Sequence, residues 1–223
     1  MHLGLRNRLS SQFRKGRDRI LRDLIISISA GANRISILDV GGRLDYWQRL
    51  GLPFLRERNV KIILLNLHKS ELPENFSDGI FEAMVGNACD LSEFGAGQFD
   101  IAHSNSVIEH VGTLKNMQAF ASELRRVGKS YYVQTPYFWF PVDPHYYAFP
   151  MFHWFPRSIR ARLLMYLPLS FAGRSRGLGE AFEDVDSTRL LDARQFSSLF
   201  PDSKMRFERF LGLPKSMMAI RRC

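Results

Sequence analysis

A chain of 223 residues with 45% hydrophobic content and a formal net charge of +9 is long enough for one domain with a sizeable core, and too apolar to be disordered. Cys89 and Cys223, its two cysteines, have no metal-ligand spacing and cannot build a disulfide framework, which excludes a cysteine-stapled secreted scaffold and points to a reducing, cytoplasmic compartment. No stretch approaches the roughly 20 apolar residues a bilayer span needs: the longest candidate, Leu163 to Ala172, is broken by Pro168, and no signal-peptide core is evident.

The basicity is regional. Residues 1–22 hold seven Lys/Arg against Asp18 alone, and residues 157–176 hold five Arg with no acid, which leaves −2 for the rest of the chain. Within the N-terminal segment, residues 1–30, the cations Arg6, Arg8, Arg14, Lys15, Arg17, Arg19 and Arg22 alternate with Leu9, Phe13, Ile20, Leu21 and Leu24 in the manner of a basic amphipathic helix. Such a helix either makes peripheral contact with an anionic membrane surface through residues 1–22, or packs its apolar stripe on the domain and leaves its charges in solvent. Nucleic acid is not expected as a partner, because the aromatics do not interleave with the basic clusters and no DNA-binding motif is present.

Gly31 to Arg34 turn into a first strand, Ile35 to Val40, whose continuous apolar run suits a parallel strand buried on both faces. Tyr46 to Arg58 reads as a crossover helix interrupted at Gly51-Leu52-Pro53, and Val60 to Leu67 as a second buried strand. A polar loop over 72–79 leads to short strands at Phe81 to Val85 and Phe99 to His103. Apolar residues at Leu114, Met117, Phe120, Ala121 and Leu124 predict a helix to Val127, before a fifth strand at Ser130 to Gln134. Near the end, Met205 to Leu211 and Lys215 to Arg221 flank Gly212-Leu213-Pro214 as a hairpin. The alternation predicts an α/β fold: a doubly wound, mostly parallel seven-stranded sheet closed by a C-terminal antiparallel pair, in a single domain spanning 1–223.

Ten aromatics in the nineteen residues from Tyr137 to Phe155, with prolines at 136, 141, 144, 150 and 156, rule out a regular helix there. The stretch opens an insertion, 136–180, read as a rigid aromatic cap just beyond a strand's carboxyl end. Arg157 to Leu167 is expected to be helical, and Phe171 to Glu180 a glycine- and arginine-rich loop.

Two segments carry a family resemblance: Ile37-Leu38-Asp39-Val40-Gly41-Gly42, and Phe99-Asp100-Ile101-Ala102-His103-Ser104-Asn105 followed by Val107-Ile108-Glu109-His110. Together they resemble the class I S-adenosylmethionine-dependent methyltransferases of the small-molecule, type 11-like branch, and the similarity spans most of Ile35 to Val133. The resemblance implies a Rossmann-like methyltransferase fold with S-adenosyl-L-methionine as cofactor. On that analogy Asp39, Gly41 and Gly42 form the glycine turn beneath the methionine half. Asn66 and Leu67 take the ribose-binding position, Asn87 and Ala88 the adenine segment, and Ser104 and Asn105 the fourth-strand tip. Arg43 and Asp45 stand where further glycines are usual, and Asn66 and Asn87 where acids are. These departures motivate the competing reading, a non-catalytic methyltransferase-fold binding or scaffold protein.

Methyl transfer from a sulfonium is an in-line displacement, so the protein mainly positions donor and acceptor, and a base matters where the acceptor must lose a proton. His145, within Pro141-Val142-Asp143-Pro144-His145, is the candidate base with Asp143 as its orienting partner; packing among aromatics is the structural alternative. No metal ligation is expected. Absence of G-x-x-x-x-G-K-[ST], full G-x-G-x-x-G and G-x-S-x-G patterns excludes the corresponding phosphate-loop, nicotinamide and hydrolase motifs. Transfer to an O or N atom of a small molecule, a sugar or a lipid-linked intermediate, is the expected activity, because aromatic walls bury ring and apolar faces well.

Overall fold

In the computed structural model the backbone is described for residues 2–73, 79–146, 149–169 and 173–223, and side chains from Gly16 onward. Helix α1 (His2–Ser29) precedes β1 (Ile35–Val40), α2 (Leu44–Glu57), β2 (Val60–Asn66), β3 (Phe81–Val85) and β4 (Phe99–Asn105). The chain continues through α3 (Leu114–Val127), β5 (Gly128–Pro136), α4 (Arg157–Tyr166), α5 (Leu178–Asp186) and α6 (Ala193–Leu199), and ends in β6 (Lys204–Phe210) and β7 (Leu213–Arg221). All seven strands form one sheet in the order β3-β2-β1-β4-β5-β7-β6. The first five are parallel, while β7 runs antiparallel to both β5 and β6.

Each face of the sheet buries its own apolar layer. Leu21, Leu24 and Ile25 of α1 and Trp47 and Leu50 of α2 pack with Ile37, Ile62 and Tyr132 on one face. On the other, Met117, Phe120 and Leu124 of α3 and Phe196 of α6 cover Leu38, Leu65 and Tyr131. Burial of the strands on both sides is why their sequences read as apolar runs without alternation. Thr113 caps α3, its side chain accepting from Asn116 N at 3.2 Å. In α2 the expected interruption is a kink at Gly51, whose φ of 116° and ψ of 108° only glycine adopts readily, two residues before Pro53.

Level strand tips position the site. Val40 at the end of β1 pairs with Leu65 on one side and Ser104 on the other, so β1, β2 and β4 stop together. Their carboxyl ends open at the point where the chain order reverses, the usual ligand crevice of an open α/β sheet.

The cap has a small core of its own, in which Tyr146, Phe152, Ala161, Leu164, Ala181 and Val185 pack together. One expectation fails there: residues 178–180 begin helix α5 rather than continuing a loop. Gly177 breaks the preceding chain, Glu180 lies in the first turn where an acid favours a helix N-terminus, and Ala181 and Val185 supply the i, i+4 contact that docks it. Helix α6, which composition did not announce, starts from a capping box between Asp192 and Gln195. Residues 171 and 172 of the expected loop lie outside the described residues.

Candidate active site

At the level tips the glycine turn has to pass close under Val107. Gly41 has φ of +69°, and a Cβ there would stand 2.3 Å from Val107 Cγ2. Its N–H donates to Leu65 O at 2.7 Å, tying the turn to β2. Asn66 adds a second tie by donating its side-chain amide to Gly42 O at 2.8 Å. A carboxylate could not make that bond, since it has no proton to donate; asparagine does so and keeps its carbonyl oxygen as an acceptor.

On one side of the turn lies an open cavity of about 980 Å³, at the upper end of the roughly 300–1,000 Å³ common for small-molecule sites. Gly41, Asn66, Leu67, Asn87 and Ala88 all line it. So do His68, Glu71, Ser106, Val107 and His110, which the sequence reading did not assign to the cofactor. Glu71 is the first acid after β2, and that position was the available signal for it.

The remaining candidates face elsewhere. Asp39 is enclosed, its Oδ1 paired with His103 Nδ1 at 2.6 Å and its Oδ2 accepting from Trp47 Nε1 at 2.5 Å. Gly42 lies against this carboxylate, with no room for a side chain. Asp39, Gly42 and Asn105 line a polar niche of about 80 Å³ on the α2 side of the turn, which shares Gly41 and Arg43 with the large cavity. Arg17 of α1 reaches over that niche to Asn105 Oδ1 at 3.4 Å and to Glu208 at 3.3 Å. Ser104 is fully buried and donates to Val40 O, bracing β4 against β1.

His145 and Asp143 meet the large cavity through His110. Asp143 Oδ1 accepts from His145 Nδ1 at 2.7 Å and from the His145 backbone N–H at 2.9 Å, and Asp143 is itself buried. His145 Nε2 lies 3.1 Å from His110 Nε2, while His110 Nδ1 faces Ser187 O at 3.2 Å. Proton positions follow from these partners. The Ser187 carbonyl and the Asp143 carboxylate oxygen act as acceptors, and Thr188 Oγ1, 3.4 Å from His110 Nδ1, can accept as well, so each Nδ1 carries hydrogen and both Nε2 lone pairs point at one spot. A proton shared there completes the pair.

Electrostatics separate the two rings. Burial, then the neighbouring His145 charge, hold His110 below the ordinary histidine value. Burial also pulls His145 down, but the hydrogen bond and charge of Asp143 outweigh it, leaving His145 above the ordinary value. Behind them Glu109 is completely buried, accepts from Thr135 Oγ1 at 3.0 Å through Oε2, and has no partner for Oε1 among the described residues. Burial pushes its carboxyl up to about 7.

Glu109, His110 and His145 bring one carboxylate oxygen and two ring nitrogens within 4.8 Å of one another. A closed shell would need spacings of about 3.4 Å around a metal bound at roughly 2.1 Å, so acid–base use of the histidines needs less rearrangement than metal binding. His153 is apart from this chain, its Nε2 donating to Phe138 O at 2.7 Å.

With this geometry in view, comparison with known proteins places the fold. A family model described as a methyltransferase domain matches residues 52–131, from the second half of α2 through β2, β3, β4 and α3 into β5. Over those residues the chain is similar to methyltransferase domains, and its sheet has the Rossmann-like fold of the methyltransferase structures it resembles. Among solved structures it is similar to magnesium protoporphyrin IX methyltransferase of Synechocystis PCC 6803 with bound SAH, at 11% identity and a TM-score of 0.51, over 96% of this chain and 87% of that one. The CurJ carbon methyltransferase gives a TM-score of 0.55 at 13% identity over 92% of this chain, which spans 54% of that longer one. A Rhodobacter sphaeroides chain put forward as a Zn-dependent alcohol dehydrogenase gives 0.53 at 12% identity, over 87% of this chain and 86% of that one. At such identities these likenesses speak for the fold alone. No curated protein sequence matches significantly.

Proposed function

We propose that the methyltransferase domain transfers a methyl group to an oxygen or nitrogen of a small-molecule acceptor, a sugar or lipid-linked compound, with His145 as base and Asp143 as its orienting partner. One observation carries this reading: the hydrogen-bonded chain Asp143–His145–His110 ends at a residue that also lines the cavity of Gly41, Asn66 and Asn87. The base therefore reaches the cofactor-sized space through His110.

S-adenosylmethionine, when bound, supplies an electrophilic methyl on a sulfonium. Gly41, bare of a side chain, lets the backbone approach the cofactor's methionine half. Asn66, through its carbonyl oxygen, and Glu71 are acceptors placed for ribose hydroxyls, and Asn87 and Ala88 border the adenine end. An acceptor O–H placed between the two Nε2 atoms would replace the direct His–His bond and donate to His145. Asp143 then stabilises the imidazolium that forms, the logic of an acid–histidine pair. Ser104 and Asp39 act indirectly in this scheme, by holding β1, β4 and the glycine turn in place.

Isothermal titration with S-adenosylmethionine and S-adenosylhomocysteine tests the first half. Binding of both, lost in Gly41→Val, is expected; binding of neither overturns the enzyme in favour of a scaffold on the same fold.

A further inference from the structure

Helix α4 is turned inside out relative to an ordinary surface helix. Ala161 and Leu164 face the cap core, yet the outer stripe at i, i+3 and i+7 is Ile159, Arg162 and Tyr166, with Ile159 43% and Tyr166 70% exposed. Trp154 and Phe155 extend the stripe at its N-terminal end and Leu167 at the other, all exposed. Trp139, 58% exposed, lies 6.1 Å from the Trp154 ring. Large apolar residues on one face of a folded domain mark a surface that another body covers.

Charge indicates what covers it. The cations around the stripe are arginines: the side chains of Arg162, Arg174 and Arg176 are exposed and make no ion pair among the described residues. The acids of neighbouring α5 are partly taken up, Asp186 by Arg157 at 2.5 Å and Asp184 by Ser175 at 2.6 Å. Tryptophan and tyrosine beside unpaired arginines match the boundary between lipid headgroups and acyl chains, where an aromatic ring has one apolar side and one wet one. In α1, by contrast, two of the described arginines turn inward: Arg17 onto Glu208 and Asn105, and Arg22 onto Leu50 O and the Phe54 ring.

The patch also leads towards the chemistry. Trp154 Nε1 and His153 Nε2 both donate to Phe138 O, and Phe138, His153 and Arg160 line a cavity of about 280 Å³ whose wall includes Asp143. Arg160 contributes a buried Nε with no acceptor among the described residues.

We propose that the outer face of the cap seats on an anionic lipid surface and that the acceptor is drawn from that surface, its head group entering beside Arg160 and Asp143. The acceptor half of this inference rests on the methyl-transfer reading; the docking half does not.

The full chain, mixed with phosphatidylcholine vesicles with and without added phosphatidylglycerol, gives a direct test by co-sedimentation and tryptophan emission. Trp47 is fully buried, so a blue shift on binding reports Trp139 and Trp154. Binding is expected only with phosphatidylglycerol, accompanied by a blue shift. It should be about fivefold weaker in Arg162→Ala, the effect of one cation near an anionic leaflet, and abolished in Ile159→Asp/Tyr166→Glu with the melting curve preserved. Vesicle binding without an emission shift would move the contact off the cap, and a lipid-free dimer dissolved by Ile159→Asp would assign the face to a second copy; either result overturns the inference. Cofactor titration is read separately, so failure of docking and failure of methyl transfer are distinguishable.

Discussion

Glu109→Gln probes the buried carboxyl behind the histidine pair, and its effect should depend on pH in a way few substitutions do. In the folded protein burial holds this carboxyl at about 7 against an ordinary value of 4.5. Between those two values the unfolded chain has released the proton while the native state keeps it. Stability contributed by the neutral acid is therefore fully present below pH 4.5 and lost as pH rises through 7. A gap of about 2.5 units at 1.36 kcal/mol each amounts to about 3 kcal/mol. Glutamine has nearly the same shape, accepts from Thr135 in the same way and does not titrate. The variant should match the parent near pH 4 and exceed it by about 3 kcal/mol at pH 8, or by roughly 6–12 °C in Tm for a chain of this length. Urea unfolding at several pH values is the assay, and taking the difference between the two proteins cancels His145 and other shared titrations. Stability curves that stay parallel from pH 4.5 to pH 8 would show that Glu109 is ionised in the native state.

At Gly41 a single methyl is enough: Gly41→Ala adds an atom 2.3 Å from Val107 in a left-handed backbone, so S-adenosylmethionine binding should weaken at least tenfold by calorimetry while the fold persists. His145→Ala should lower kcat by about 10² to 10⁴ with cofactor affinity retained, and unchanged turnover would remove the base assignment. Since Asp143 holds His145 above its ordinary value of 6.5, the acidic limb of the kcat profile should have its midpoint above that pH. Overnight dialysis against EDTA should leave activity intact if the histidines move protons; a loss restored by one divalent cation would reassign Glu109, His110 and His145 as its ligands. Trp47→Phe leaves Asp39 Oδ2 without its donor and should cost about 1–3 kcal/mol in urea unfolding.

Sequence alone was sufficient for the sheet. β1, β3 and α3 have the bounds their apolar patterns predict, because strands buried on both faces and a helix with one apolar stripe leave local signatures, and the C-terminal hairpin closes the sheet as expected, though its turn is Leu211-Gly212 and Leu213 and Pro214 already belong to β7. The kink in α2 was legible for the same reason, since Gly51 and Pro53 act on their own backbone. Local reading stopped at 178–186, where a glycine- and arginine-rich approach hides a helix held by contacts to Tyr146 and Phe152, and at 193–199, a short helix held on the α3 face.

Within the site, pattern could nominate residue types but not their partners. Only the folded chain separates Gly41, Asn66, Leu67, Asn87 and Ala88, which line the large cavity, from Asp39, Gly42, Ser104 and Asn105, which do not. Likewise, His110 and His145 are thirty-five positions apart in sequence and 3.1 Å apart in space. Hydrophobic periodicity is written residue by residue along each element, whereas a hydrogen bond between two loops depends on where several elements end together, and that is decided by packing.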